Sequence, residues 1–252
     1  MRKCIVGLSL AALLLVLTGP ARAEEGGDAK AVIAKAIKAM GGEEKLTKAL
    51  KGHTVKEKGT LSIMGSDNPV SIEVTMAGLD KYRSKFKGEF GGMEIEGVTV
   101  VSGDKGTRSF AGNDMEMDKD GLASEKRNIY LAAIASLVVP LNEKGFKCEA
   151  AAEEKVDGKA AAVLKVTGPD GKESKMYFDK QTGLPVRQVA KVNNFMGQEV
   201  TQETTYSNHK DMDGVKHAGK LVIKHDGEKL MELEITEFKI VDKVDTKIFD
   251  KP

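Results

Sequence analysis

The spacing of apolar side chains changes period along the chain. Val32, Ile33, Ala36, Ile37 and Met40 recur every three to four residues, which predicts a helix over Asp28–Met40 with Asp28 as its cap and Gly41-Gly42 as its stop. Glu43–Lys51 adds a short turn carrying Leu46 and Leu50. From Val55 the period falls to two. Val55, Gly59, Leu61 and Ile63 read as a strand, Ser66-Asp67-Asn68-Pro69 as a turn, and Val70, Ile72, Val74 and Met76 alternate with Ser71, Glu73 and Thr75. Tyr82-x-Ser84-x-Phe86, Met93–Val101 and Thr107–Ala111 continue the series between Gly91-Gly92 and Gly103-Asp104-Lys105-Gly106. Asp118–Val139 then returns to helical spacing through Leu122, Ile129, Ala133, Ile134, Leu137 and Val138, with Pro140 at its exit.

Strands resume at Phe146–Val156, Ala160–Thr167, Lys175–Asp179, Leu184–Val192, Glu199–Ser207, Val215–Lys224 and Lys229–Val241. The pairs Asp157-Gly158, Asp213-Gly214 and Asp226-Gly227 sit between alternating runs, the strongest short hairpin signal. The pattern predicts one mainly β domain of about eleven strands in antiparallel meanders, with two helices, each sheet having one apolar and one wet face. Glu94/Glu96 and Glu232/Glu234 fall on the wet face.

The chain begins differently. Met1-Arg2-Lys3 is basic, Ile5–Leu17 is an apolar run of 13 residues, and Ala21-Arg22-Ala23 follows the break at Thr18-Gly19-Pro20. This is the pattern of a cleaved export signal over residues 1–23, too short for a membrane span of about 20 residues. The domain then covers 24–252. The whole chain carries 39 Lys+Arg against 38 Asp+Glu, and without the signal 36 against 38. That balance excludes a basic nucleic-acid binder. Loss of Cys4 leaves Cys148 alone, so no internal disulfide forms, and Cys148 reads as a packed thiol on a strand.

Catalytic and metal motifs are absent from the sequence: there is no Gly-x-Ser-x-Gly elbow, no His-x-x-x-His pair, and no Gly-rich turn leading into a helix. The expectation is a non-catalytic protein without cofactor or metal. His53, His209, His217 and His225 read as solvated edge residues. A metal or catalytic role for His209 and His217, which flank Asp213-Gly214 near Asp211, is the alternative. What remains is apolar surface. Val70, Ile72, Val74, Met76, Tyr82, Phe86, Met93 and Ile95 come from neighbouring strands and are expected to share a concave face, which the Asp118–Val139 helix covers with Ile134 and Leu137. This is the candidate ligand-binding set. Ten methionines after the signal, and no Trp, favour an adaptable apolar surface.

Three stretches carry a family resemblance. Tyr177-Phe178-Asp179-Lys180-Gln181-Thr182-Gly183-Leu184-Pro185 resembles a strand–DxxTGLP–strand hairpin. Tyr206-Ser207-Asn208-His209-Lys210-Asp211-Met212-Asp213-Gly214-Val215-Lys216 resembles a second hairpin, and Ile248-Phe249-Asp250-Lys251-Pro252 a closing F-x-x-P. With the element order, they resemble the LolA/LolB-like periplasmic lipoprotein carriers. The chain departs from them in having no Trp, in greater length, and in lacking a lipidated N-terminal Cys. No functional arginine is matched.

The resemblance implies an open antiparallel β half-barrel covered by helices, located in the periplasm. It implies a monomer that holds lipid or lipoprotein acyl chains in an apolar groove and exchanges them with a membrane-associated donor or acceptor protein. Release would require the covering helix to move, which suits the small residues Ala132, Ala133 and Ala135. The same motifs occur in RseB-like regulators, so a signalling or scaffold protein of this fold, working through a protein partner, is the alternative.

Overall fold

The computed structural model describes residues 28–63 and 65–251, so the segment read as an export signal lies outside the described residues. Asp28 caps α1 (Ala29–Met40) by accepting from the Lys30 amide at 3.0 Å. The segment read as a turn is a full helix, α2 (Glu43–Lys51). A meander follows: β1 (His53–Ile63), β2 (Ser66–Ala77), β3 (Lys81–Phe90), β4 (Met93–Ser102), β5 (Lys105–Phe110) and β6 (Asn113–Glu116). After α3 (Lys119–Leu137) and a 3-10 turn over Val139–Asn142 come β7 (Lys147–Val156), β8 (Lys159–Thr167), β9 (Glu173–Asp179), β10 (Pro185–Asn193) and β11 (Glu199–Ser207). The chain finishes with β12 (Lys210–Met212), β13 (Val215–His217), β14 (Lys220–His225), β15 (Glu228–Ile240) and a 3-10 turn over Thr246–Phe249.

Thirteen of these strands form one antiparallel sheet in the order β6-β5-β4-β3-β2-β1-β15-β14-β11-β10-β9-β8-β7, and β12–β13 is a separate hairpin. The fold is therefore the expected open half-barrel with flanking helices, two strands larger in its main sheet than the alternation suggested. The order explains the helix. The first meander ends at one edge, β6, and the second starts at the opposite edge, β7, so the chain must cross the sheet between them. α3 makes that crossing. Nineteen residues span about 28 Å at 1.5 Å each.

Turn chemistry decides most boundaries. Asp157-Gly158, Asp213-Gly214 and Asp226-Gly227 all have positive φ at both positions, as two-residue type I′ turns demand. Two expected boundaries move. Ser66–Pro69 is strand and not turn: it pairs with Leu61, Thr60 and their neighbours on β1 and the chain bends near Gly65. Those residues lie beyond the last β2–β3 pair, Val70↔Gly88, an edge position where proline is tolerated. Val215–Lys224 is two strands. Its backbone breaks at Gly219, whose N–H donates to Ser207 O and Asn208 O and where a Cβ would stand 2.5 Å from Asn208 O.

The helices fill only part of the concave face. α1, α2 and the inner side of α3 form the main core with Leu164, Val166, Met176 and Phe178 of β8 and β9 and with Phe238 of β15. α3 is not amphipathic in the expected way. Tyr130, Leu131, Ala133, Ile134, Ala135 and Leu137 are all buried, because Ile129 and Ala133 pack on Met76 and Val101 while Leu131, Ile134 and Leu137 enter the main core. A helix lodged between two apolar surfaces buries most of its circumference.

Candidate functional site

Between α3 and the sheet lies a cavity of about 510 Å³, within the range typical of small-ligand sites. Its floor runs along β1 and β2, with Val55, Leu61 and Ile63 beside Ile72, Val74 and Met76. Tyr82 and Ser84 extend it onto β3. The other wall comes from β15, β14 and β11, through Leu233, Ile235, Leu221, Ile223, Thr204 and Tyr206. Asn128, Leu131, Ala132 and Ser136 of α3 form the roof. Met40, His53 and His217 close one end, and Asn193, Asn194 and Phe195 stand at the other.

A bulge shapes this floor. Lys56 pairs with Glu237 but Glu57 pairs with Ile235, leaving Thr236 as the extra residue of β15, its hydroxyl donating to Lys56 O at 3.0 Å. The slip lets Met231, Leu233 and Ile235 face inward and then, one parity later, Phe238 and Ile240 as well. A bulge of this kind also bends the strand, here beside the cavity residues Glu57 and Ile235. At Gly59, β1 passes so close to β15 that a Cβ would stand 1.9 Å from Glu232 O.

The candidate residues separate clearly. Ile72, Val74, Met76 and Tyr82 lie in the cavity wall. Val70 is buried opposite Gly88 and lies outside this wall. Phe86 stacks with Phe90 at 6.3 Å between centroids, flanking Gly88 on the outer wing. Ile95 lies on that wing too, and Met93 at its tip is 67% exposed. Ile134 and Leu137 are fully buried in the core and lie outside the lining of this cavity. Sequence pairing placed the second wall of the groove on β3 and β4; β3 contributes Tyr82 and Ser84, β4 contributes nothing, and the β1–β15 pairing brings in β11, β14 and β15.

The histidines are not solvated edge residues, as the sequence reading expected. His53 and His217 are buried, each stacked against Phe238 at 5.2 and 4.9 Å. Burial holds both below the ordinary 6.5, His217 at about 4, so both are neutral near pH 7. His209 and His217 do not face each other across the hairpin; Lys210 is the partner of His217. Cys148 is half-buried with its thiol 3.8 Å from Leu141 O, and burial pushes it up to about 11.

The roof is bolted, contrary to the expectation of a helix held by small residues. Arg127 is buried on α3. Its Nε donates to Lys191 O at 2.7 Å, Nη2 to Glu173 O at 3.0 Å, and Nη1 to Asp170 Oδ2 at 2.8 Å and to the Tyr130 hydroxyl. Tyr130 in turn donates to Asp170 Oδ1 at 2.8 Å. Burial works to raise the Asp170 carboxyl, but the Lys172 amide, Tyr130 and Arg127 outweigh it and hold the group below its ordinary 3.8. The turn bearing Asp170 fits tightly, since a Cβ on Gly168 would stand 2.5 Å from the Tyr130 oxygen. Gln188 adds a second tie by donating to Leu131 O at 3.1 Å while accepting from Tyr206 at 3.3 Å.

One residue that the sequence reading missed sits in the cavity: Glu57, inward-facing on β1. It keeps some accessible surface because it borders a hollow, yet burial among protein atoms raises its carboxyl to about 7. The available signal was an acid at a position sharing parity with Val55, Leu61 and Ile63.

No protein-family model matches the sequence, and no curated protein matches it. Solved structures do match. A LolA superfamily protein from Nitrosomonas europaea superposes with a TM-score of 0.58 at 11% identity, covering 88% of this chain and 97% of that one. A DUF1329 family protein from Desulfovibrio piger gives 0.54 at 12% identity with the same coverage. An outer membrane lipoprotein-sorting protein domain from Vibrio parahaemolyticus gives 0.53 at 10%, again with 88% and 97% covered. At such identities the likeness speaks for architecture alone: this chain has the LolA-like fold.

Proposed function

We propose that the protein is an exported, non-catalytic carrier that holds a lipid, or the acyl chain of a lipoprotein, in the cavity under α3 and transfers it across the periplasm. The observation that carries this reading is the hollow itself. The bulged floor and the α3 roof enclose aliphatic surface that no described side chain fills. Burial of apolar area stabilises a bound chain by about 25 cal/mol per Å² without directional contacts. The export signal read in residues 1–23 supports a periplasmic location, and one structural neighbour is described as a lipoprotein-sorting domain.

Delipidated protein is expected to take up a fluorescent acyl probe with one-to-one stoichiometry. Ile72→Asp and Val74→Asp, each placing a charge in the wall, are expected to abolish uptake while circular dichroism shows both variants folded. Stoichiometric uptake unchanged in both folded variants refutes the reading.

One observation favours the alternative, a scaffold acting through a protein partner. Phe195 and Met196, at the tip of the β10–β11 turn, are 85% and 70% exposed beside the cavity mouth. A membrane protein recovered with the natively purified chain, together with no lipid in its organic extract, selects the scaffold.

A further inference from the structure

The cavity is short of positive charge. Among the described residues that line it, Glu57 alone carries a formal charge, and none is Lys or Arg. The Glu57 carboxylate makes no hydrogen bond or ion pair with any described residue. It is flanked in the ladder by Ile72 and Ile235. At the closed end, His217 Nδ1 lies 2.9 Å from Ala218 O. A carbonyl only accepts, so Nδ1 carries the hydrogen and Nε2 presents a lone pair, buried and without a partner. His209 repeats the arrangement: its ring bonds the Pro185 carbonyl, and its Nε2 is buried and unmatched. The Glu57 carboxylate and these two buried ring nitrogens are therefore acceptors that lack a donor. A buried acceptor without a donor is unfavourable, and native proteins leave few of them.

We propose that the cavity selects aliphatic ligands whose polar group is a hydrogen-bond donor without negative charge, an ammonium or a hydroxyl seated against Glu57, and rejects chains that end in carboxylate or phosphate. This rests on the carrier reading and narrows it. An ammonium beside Glu57 supplies both the missing donor and the missing counter-charge in a site of low dielectric. An anionic head finds no lysine or arginine in the lining and meets the like charge of Glu57.

The other titratable groups facing the hollow shift toward their neutral forms. Burial holds His53, His209, His217 and His225 below 6.5. Burial likewise holds Tyr82 of β3 and Tyr206 of β11 above 10, with Glu57 itself adding to both shifts. Glu125 of α3 and Arg108 of β5 act on Tyr82, but they pair with each other outside the cavity wall at 2.6 Å. Glu57, raised to about 7, is the lining carboxyl that changes charge between pH 6 and 8.5.

The test is competition for a bound neutral fluorescent probe, N-phenyl-1-naphthylamine, by dodecylamine, 1-dodecanol and dodecanoate at pH 6 and 8.5. Dodecylamine is expected to displace the probe about ten- to a hundredfold better than dodecanoate at pH 8.5, the range of a charge-assisted hydrogen bond. The advantage shrinks at pH 6, where Glu57 is protonated. In Glu57→Gln, a near-isosteric change that removes the charge, dodecylamine falls to the level of 1-dodecanol. Equal displacement by dodecanoate and dodecylamine in the native protein, or an unchanged ratio in Glu57→Gln, overturns the inference and leaves the carrier standing. No displacement by any of the three, dodecanol included, overturns both.

Discussion

Replacing Arg127 by Met removes the bolt that holds α3 across the sheet while keeping much of the aliphatic stem. In the native protein the guanidinium is 4% exposed, and it satisfies Asp170, Tyr130 and the carbonyls of Lys191 and Glu173. Its loss leaves Asp170, itself 27% exposed, without its cation and two strand carbonyls without donors. Breaking a buried pair by removing one partner costs about 3–5 kcal/mol. The partial exposure of Asp170 places this case near 3. For a domain of this size that corresponds to a fall in Tm of about 6–12 °C.

The assay is urea unfolding at pH 7 followed by circular dichroism, run on Arg127→Met, Asp170→Asn and the double variant. The two single losses should exceed the double loss when summed, because both report one interaction. Asp170 lies below its ordinary range in the folded state, so its contribution is present above about pH 4 and disappears as pH falls through the folded value. The Arg127→Met variant should therefore show a shallower loss of stability in acid. A cost below about 1 kcal/mol, or strict additivity of the two substitutions, would show that α3 is held by packing alone.

Glu57→Gln should stabilise the empty protein in alkali and leave it unchanged in acid. The folded carboxyl titrates near 7 against an ordinary 4.5, so the folded state binds the extra proton between those values and stability falls as pH rises through them. The accumulated penalty is about 3 kcal/mol above pH 7 at ~1.4 kcal/mol per pH unit, and parallel urea-midpoint profiles for the two proteins would refute it. Gly59→Ala forces a methyl into a space 1.9 Å from Glu232 O, and the β1–β15 ladder must part to admit it. A loss of about 1–3 kcal/mol by denaturant titration is expected, and a neutral result would show that the two strands separate freely at that point.

Architecture was more legible than the site. Period-two alternation and three Asp-Gly turns carry most strands, because each signal is local and backbone chemistry alone decides it. β6 escaped because Ala111-Gly112 lacks the Asn or Asp of a strong turn and Asn113–Glu116 has one apolar residue. The cavity depends on a pairing between distant strands, β1 with β15, that no short stretch encodes. Ile72, Val74, Met76 and Tyr82 were reached because they sit on neighbouring strands in sequence. Leu221, Ile223 and Leu233 were not, since register with β1 brings them in. Glu57 was passed over because an acid among alternating residues usually marks the wet face, and only its parity with Val55 and Leu61 says otherwise. The buried histidines were misjudged because the stacking partner of both rings, Phe238, arrives through the slip at Thr236.

The sheet never joins its two ends: β6 and β7 each keep a free side. In a closed barrel, strand number and stagger set a bore that no guest can alter. Here the gap between opposing walls follows the coil of a ribbon, and a ribbon tightens or relaxes without parting a single ladder bond. An open ribbon of this kind sets no fixed length for what its concave face could hold. For the carrier proposed above, a short tail and a longer one would find the same lining, with the surplus emerging past Phe195 toward whatever lies outside.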